Sequence, residues 1–259
     1  MPVLHDPDLR LRRRARALHH GPPAFLADRV IEDIVDRLAA MNRPFDRMLV
    51  IGTLAGTASL ARLEPFTGRL DLVDPSPDVA AATGARCRLE NDLEDVGAYD
   101  AVIALGTLDT VATLPETLAR LRFLLKPDSP LLGVVPGGQT LPRLRAAMHA
   151  ADQASGRASP HIHPRIEPSA LAALLAGAGL AMPVVDIDRI ALSYRGFPDL
   201  LRDLRALGAT NLLFERDPRP LSRSAYDAAA ENFMVTADAR GRVVETFELL
   251  HFVGWTPSS

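Results

Sequence analysis

Two residues at the ends of apolar runs have the types and spacing for a defined chemistry. Gly52 closes the run Met48 to Ile51, and about twenty positions later Asp74 closes the run Leu70 to Val73. A glycine at a strand end lets the backbone approach a ligand closely. An acid at the next strand end can accept hydrogen bonds from both hydroxyls of a ribose. With Thr53 and Gly56 in the loop and Pro75 after the acid, the pattern points to a nucleoside held across two strand ends. Asp74 has a second reading, because "DPSPD" also suits an aspartate capping a helix begun at Pro75. The loop GTLAG has only two glycines and would serve an ordinary strand, turn and helix as well.

Other residues could contribute at neighbouring strand ends. Leu105, Gly106 and Thr107 follow one apolar run, Gly137 and Gly138 another, and Tyr194 ends a third, where its phenol could position a substrate or simply pack. His161 and His163 stand two apart in "SPHIHPRI". No nearby carboxylate or cysteine completes a metal set, so a rigid loop between prolines is the expectation and no metal is assigned. Asp186 and Asp188 share one face of a strand, as side chains alternate, and are expected to make polar contacts to a cap. No catalytic acid or base is identified.

The elements that must position these residues follow from hydrophobic spacing. Leu26, Val30, Ile34 and Leu38 recur four apart with charges between, the mark of an amphipathic helix, here with prolines at its start. Short apolar runs then alternate with helical segments: Met48 to Ile51, Leu70 to Val73, a weaker one around Cys87, Tyr99 to Leu105 and Pro130 to Gly138. That alternation predicts buried parallel strands with crossover helices in a doubly wound α/β sheet from about 47 to 156. A sixth strand is expected in "MPVVDIDRIALSY" and a last in "RVVETFELLHFVGW". Between them helices over Pro198 to Gly208 and Ser222 to Met234 form a small cap at about 195–236. The expected division is a basic segment and helix over 1–45 and a main domain over 46–259.

At 259 residues, 47% hydrophobic and 24% charged, the chain can bury a core unaided. The single cysteine, Cys87, excludes an internal disulfide framework and cysteine-based zinc sites and fits a cytoplasmic protein. A net charge of -3 argues against general nucleic-acid binding. One segment departs from this: "LRLRRRARALHH" puts five arginines in seven positions. It reads as an exposed helix with a solvated basic face, or as a contact for an acidic partner, RNA or a membrane surface. No run of eighteen apolar residues occurs, so no membrane span is expected.

"YDAVIALGTLDTVATLPETLARLRFLLKPD" resembles the fourth strand and following helix of class I S-adenosylmethionine-dependent methyltransferases. "GGQTLPRLRAAMHAAD", "SPHIHPRIEPSALAALLAGAGL", "VVDIDRIALSY", "DLLRDLRALGATN" and "FVGW" resemble, in order, the complex I assembly factor 5 family and its alphaproteobacterial relatives. The malonyl-carrier-protein methyltransferases of biotin synthesis (BioC) are more distant kin. The resemblance runs from about Arg10 to Trp255. It implies a Rossmann-like class I methyltransferase fold: a seven-stranded, mostly parallel sheet, strand seven antiparallel, with helices on both faces and a small helical cap. It also implies S-adenosylmethionine as cofactor. By position, Gly52, Thr53 and Gly56 would lie under the methionine and ribose, Asp74 and Pro75 at the ribose, and Leu105 and Gly106 on the adenosine or substrate side. Relatives often place an aspartate after strand three to reach the adenine. Here Arg88 stands at that spot, and Asp92 is the candidate substitute. The loop also lacks the usual acidic residue before its first glycine. The implied activity is methyl transfer to a carboxylate or protein side chain, small-molecule or protein, with Arg145, His161, Tyr194 and Asn211 as acceptor contacts. The assembly-factor branch implies instead hydroxylation or chaperoning of a respiratory-complex subunit. The thinned loop leaves open a non-catalytic binding protein.

Overall fold

The structure, a computed structural model, describes residues 4–21 and 24–258; the prolines expected at the start of the second helix, Pro22 and Pro23, lie outside the described residues. Seven strands form one sheet: β1 (Phe45–Ile51), β2 (Thr67–Asp74), β3 (Arg86–Cys87), β4 (Ala101–Leu105), β5 (Pro130–Pro136), β6 (Ala181–Tyr194) and β7 (Val243–Trp255). Their order is β3-β2-β1-β4-β5-β7-β6. The first five run parallel, and β7 lies antiparallel between β5 and β6. The chain order reverses between β1 and β4, the place where an open α/β sheet forms a crevice beyond its strand ends.

Alternation along β1 explains why this strand is central. Leu49 and Ile51 face one layer and Met48 and Val50 the other, and all four are fully buried. On the first face, α5 (Leu114–Leu124) and α7 (Pro168–Gly177) bring Leu118, Leu121, Leu171 and Leu175 against Leu49, Val102 and Leu131. On the second, α2 (Ala24–Met41) packs Ile31, Ile34 and Leu38 onto Met48, Val50 and Ile103. Short helices α3 (Thr57–Leu60) and α4 (Pro77–Thr83) follow β1 and β2.

A third cluster covers the far end. In α6 (Pro142–Ser155) Ala147 and Ala151 belong to the same buried group as Ala225 and Ala229 in α9 (Arg223–Met234), small residues that let two helices approach closely. Phe197, at the start of α8 (Phe197–Ala206), meets Phe233 of α9 with ring centroids 5.6 Å apart. Two sequence expectations are corrected here. Asp186 and Asp188 bind Arg37 and Arg29 of α2, at 2.8 and 3.0 Å, and not α8 or α9, because their face of β6 turns toward that helix. Nor is the basic face of α1 (Pro7–Leu18) solvated throughout: Arg10 and Arg14 are buried, 6% and 4% exposed, with their partners inside the crevice.

Candidate functional site

The crevice starts at Gly52, whose φ of +94° belongs to the region glycine adopts readily. A Cβ there would lie 2.0 Å from the Leu105 carbonyl oxygen and 2.8 Å from Thr107 Cγ2, so β1 and β4 can close together only over a glycine. Next in the chain, Thr53 donates its backbone N–H (2.8 Å) and hydroxyl (3.2 Å) to Asp74 Oδ2, tying the loop to the end of β2. Asp74 is fully buried. Its Oδ1 accepts from Ser76 N at 3.0 Å. Since α4 begins at Pro77 with Ser76 as its N-cap residue, Asp74 does not cap that helix, and the capping reading falls.

The remaining donors to Asp74 come from α1. Arg14 makes a two-pronged contact, Nε to Oδ1 at 3.1 Å and Nη2 to Oδ2 at 2.6 Å, and its Nη1 donates to the Gly106 carbonyl at 2.9 Å. One turn earlier on the same face, Arg10 grips Glu90 with Nη1 and Nη2 and donates to the Thr107 carbonyl at 3.0 Å and to Thr110 Oγ1 at 3.0 Å. Spacing of four in a helix superposes the two guanidinium groups, and each planar fork matches a carboxylate. Glu90 is 2% exposed, in a short 3-10 turn after β3, whereas Asp92 is exposed. The acid turned inward after β3 is therefore Glu90.

Beside this charged floor lies a cavity of ≈ 200 Å³. Leu26 and Val30 of α2, Leu54 of the loop, Val134 of β5, and Leu204 and Leu212 from the α8 region make it mainly apolar. Arg10, Arg14, Asp109 and Arg165 supply charge at its edge. Leu54, midway between the two loop glycines, forms part of the cavity wall. Arg165 is held to Asp109 at 3.3 Å.

The sequence candidates divide between these places. Gly52, Thr53 and Asp74 meet at one point, Leu105 and Gly106 line both crevice and cavity, and Pro75 and Gly56 flank the loop and strand end. Tyr194 donates to Asp203 at 3.0 Å, so it joins β6 to α8. Asn211 donates to the Pro160 carbonyl at 2.7 Å, and His161 Nε2 is 2.7 Å from Asp152 Oδ1; both contacts fix the 159–163 segment. Arg145 is exposed on α6. His163 accepts from Leu212 N at 2.9 Å, and its ring meets that of His5 edge-on at 5.0 Å. Burial, aided by the nearby Arg165 charge, lowers its pKa to about 4. Gly137 and Gly138 pack against Glu248 and Glu167. Sequence reasoning missed Arg10, Arg14, Glu90 and Arg165; the four-residue spacing of the two helical arginines was the available signal.

Strand order, a glycine turn after β1 and a buried acid after β2 define a Rossmann-like α/β protein with a crevice at the switch point of its sheet. A family profile described as "Methyltransferase domain" matches residues 24–183, and the chain belongs to that family. The mouse protein named "Arginine-hydroxylase NDUFAF5, mitochondrial" is 27% identical over 269 residues, covering 97% of this chain and 77% of its own. The zebrafish protein of that name is 32% identical over 61% of this chain and 50% of its own. A "Malonyl-[acyl-carrier protein] O-methyltransferase" of Xylella fastidiosa is 32% identical over 62% of this chain and 52% of its own. The chain thus spans about half the length of the last two. The YcgJ protein of Bacillus subtilis shares the fold, with a TM-score of 0.59 at 10% identity over 86% of this chain and 98% of that one.

S-adenosylmethionine is the cofactor of this family. The residues present fit it in type. Ser76 Oγ and Thr107 Oγ1 are buried at the crevice without a hydrogen-bond partner among the described residues, beside a glycine cradle and two inward carboxylates. Those carboxylates, however, are held by arginines of the same chain.

Proposed function

We propose that this protein transfers the methyl group of S-adenosylmethionine to a carboxylate or protein side chain lodged in the cavity beside β4 and β5. The observation that supports this most is the meeting of two unlike surroundings. A buried polar cluster of Thr53, Asp74 and Glu90 is held by Arg14 and Arg10, and these two arginines, with Leu105 and Gly106, also line the apolar cavity. When bound, S-adenosylmethionine supplies an electrophilic methyl group for in-line displacement. The protein's part is alignment and exclusion of water. Asp74, held in place by the Thr53 N–H, would hold the ribose, Glu90 the adenine side, and the Gly52 turn the methionine side. Leu26, Leu54, Leu204 and Leu212 keep the acceptor's surroundings dry. Arg165 at the cavity edge offers a cation to an acceptor carboxylate, which needs no base to react. Tyr194, Asn211 and His161 act through the walls they brace, with helices α8 and α9 as the cap, and Arg145 stands outside to meet a larger acceptor. We place the chain in the cytoplasm; among the described residues no helix is long and apolar enough to cross a membrane.

A second reading is supported by the mouse relative, whose similarity extends over 97% of this chain and so through the cap. In it the acceptor is an arginine of a respiratory-complex subunit, modified or chaperoned. One experiment separates the two. The protein is incubated with methyl-labelled S-adenosylmethionine and either malonyl-acyl-carrier protein or an arginine-bearing subunit segment, the latter with dioxygen and a two-electron reductant, so that one oxygen atom enters the arginine and the other leaves as water, and each acceptor is weighed by mass spectrometry. Gain of the labelled methyl group supports transfer. Gain of oxygen on the arginine, without label, supports the second reading.

A further inference from the structure

We propose that α1 is a competitive latch on the cofactor crevice: Arg14 and Arg10 occupy the two carboxylates that would hold the adenosyl group, so the cofactor enters as α1 withdraws. This rests on the reading that S-adenosylmethionine binds at Asp74. Asp74 has no free acceptor position facing the crevice. Arg14 takes one place on each oxygen, and Thr53 and Ser76 take the others, so a ribose hydroxyl can bond this carboxylate only in place of the guanidinium. Glu90 is gripped in the same way by Arg10. Each arginine also covers a carbonyl just after β4: Arg14 Nη1 donates to Gly106, and Arg10 Nη2, besides holding Glu90, donates to Thr107. Ser76 Oγ and Thr107 Oγ1, buried around this plug and unpaired among the described residues, are hydrogen-bonding capacity that the closed arrangement leaves unused.

The latch is tied to the acceptor side. Asp6 N donates to the Leu212 carbonyl at 2.9 Å, Phe214 N to the Leu4 carbonyl at 3.1 Å, and Arg16 Nη2 reaches Thr210 Oγ1 at 3.3 Å. Leu212 also lines the cavity. Withdrawal of α1 therefore pulls on the 210–214 segment, and cofactor entry is communicated to the acceptor wall through the backbone.

The test is calorimetric titration of the full chain with S-adenosylmethionine, for wild type, Arg14→Gln and Arg14→Lys, together with amide hydrogen exchange of α1 with and without saturating cofactor. The latch predicts binding about tenfold or more tighter in Arg14→Gln, since removing a closed state raises the competent fraction. Arg14→Lys, which keeps the charge but loses the fork, should fall between. Saturating wild type should speed exchange across α1. Binding confined to Arg14→Gln also supports the latch, with the closed state dominant. Wild-type binding with no gain in Arg14→Gln and no change in α1 exchange overturns the latch while the cofactor site stands. Absence of binding in every form overturns the cofactor site and the latch together. Where the wild type binds, its exchange needs no substitution and decides the question even if Arg14→Gln weakens folding.

Discussion

Replacing Asp74 by asparagine keeps the shape and removes the charge, and the structure fixes what that costs. Oδ2 faces the Thr53 N–H, the Thr53 hydroxyl and Arg14 Nη2; Oδ1 faces Arg14 Nε and the Ser76 N–H. Whichever way the amide is turned, its NH2 group meets a backbone N–H and a guanidinium, so no orientation restores the network. Arg14 is left buried opposite a neutral group, a loss of about 3–5 kcal/mol for a broken buried pair. A chain of this length loses about 2 °C of Tm per kcal/mol, so Asp74→Asn should melt ~6–10 °C below the wild type. Circular dichroism melts and urea titrations measure this. In a double-mutant cycle with Arg14→Gln, the coupling energy should be about 2 kcal/mol. A drop under about 2 °C with an unchanged urea m-value, or coupling near zero, would show that α1 does not rest on Asp74 in solution, and the reasoning from the paired geometry would fail.

Gly52→Ala should destabilise by about 3 kcal/mol or more, because the added methyl meets backbone at Leu105 and the residue must hold a positive φ; urea unfolding, or failure to recover soluble protein, checks it. His163 makes stability pH-dependent. Its folded pKa, about 4, lies below the unfolded value near 6.5, so between those values the unfolded chain binds a proton that the folded chain does not. Stability should hold level above pH 7 and fall by up to roughly 3 kcal/mol as the pH drops from 6.5 to 4, with His163→Gln flattening that limb. Unfolding midpoints measured across this range that move equally in both proteins would assign the effect elsewhere.

Much of the sheet was legible because its strands are buried on both faces and so read as short apolar runs, as in Met48 to Ile51. Gly52 and Asp74 were legible as a pair because a crevice at a switch point calls for those types at adjoining strand ends. The closing helix was not. Its five arginines read as a solvated face, since the carboxylates that bury two of them lie 60 and 80 residues away in sequence. Glu90 was missed for a local reason: the 3-10 turn after β3 is three residues long, too short for a period to say which of Glu90 and Asp92 points inward. The cavity wall was hidden likewise, for Leu54 and Leu212 come together only through tertiary packing.

A structure determined with S-adenosylhomocysteine tests the crevice most directly. It should show the ribose hydroxyls on the Asp74 carboxylate, with the Arg14 guanidinium displaced and the sulfur facing the cavity at Leu105 and Gly106. Ligand bound elsewhere, with the contact between Arg14 and Asp74 intact, would contradict the assignment of this crevice as the cofactor site.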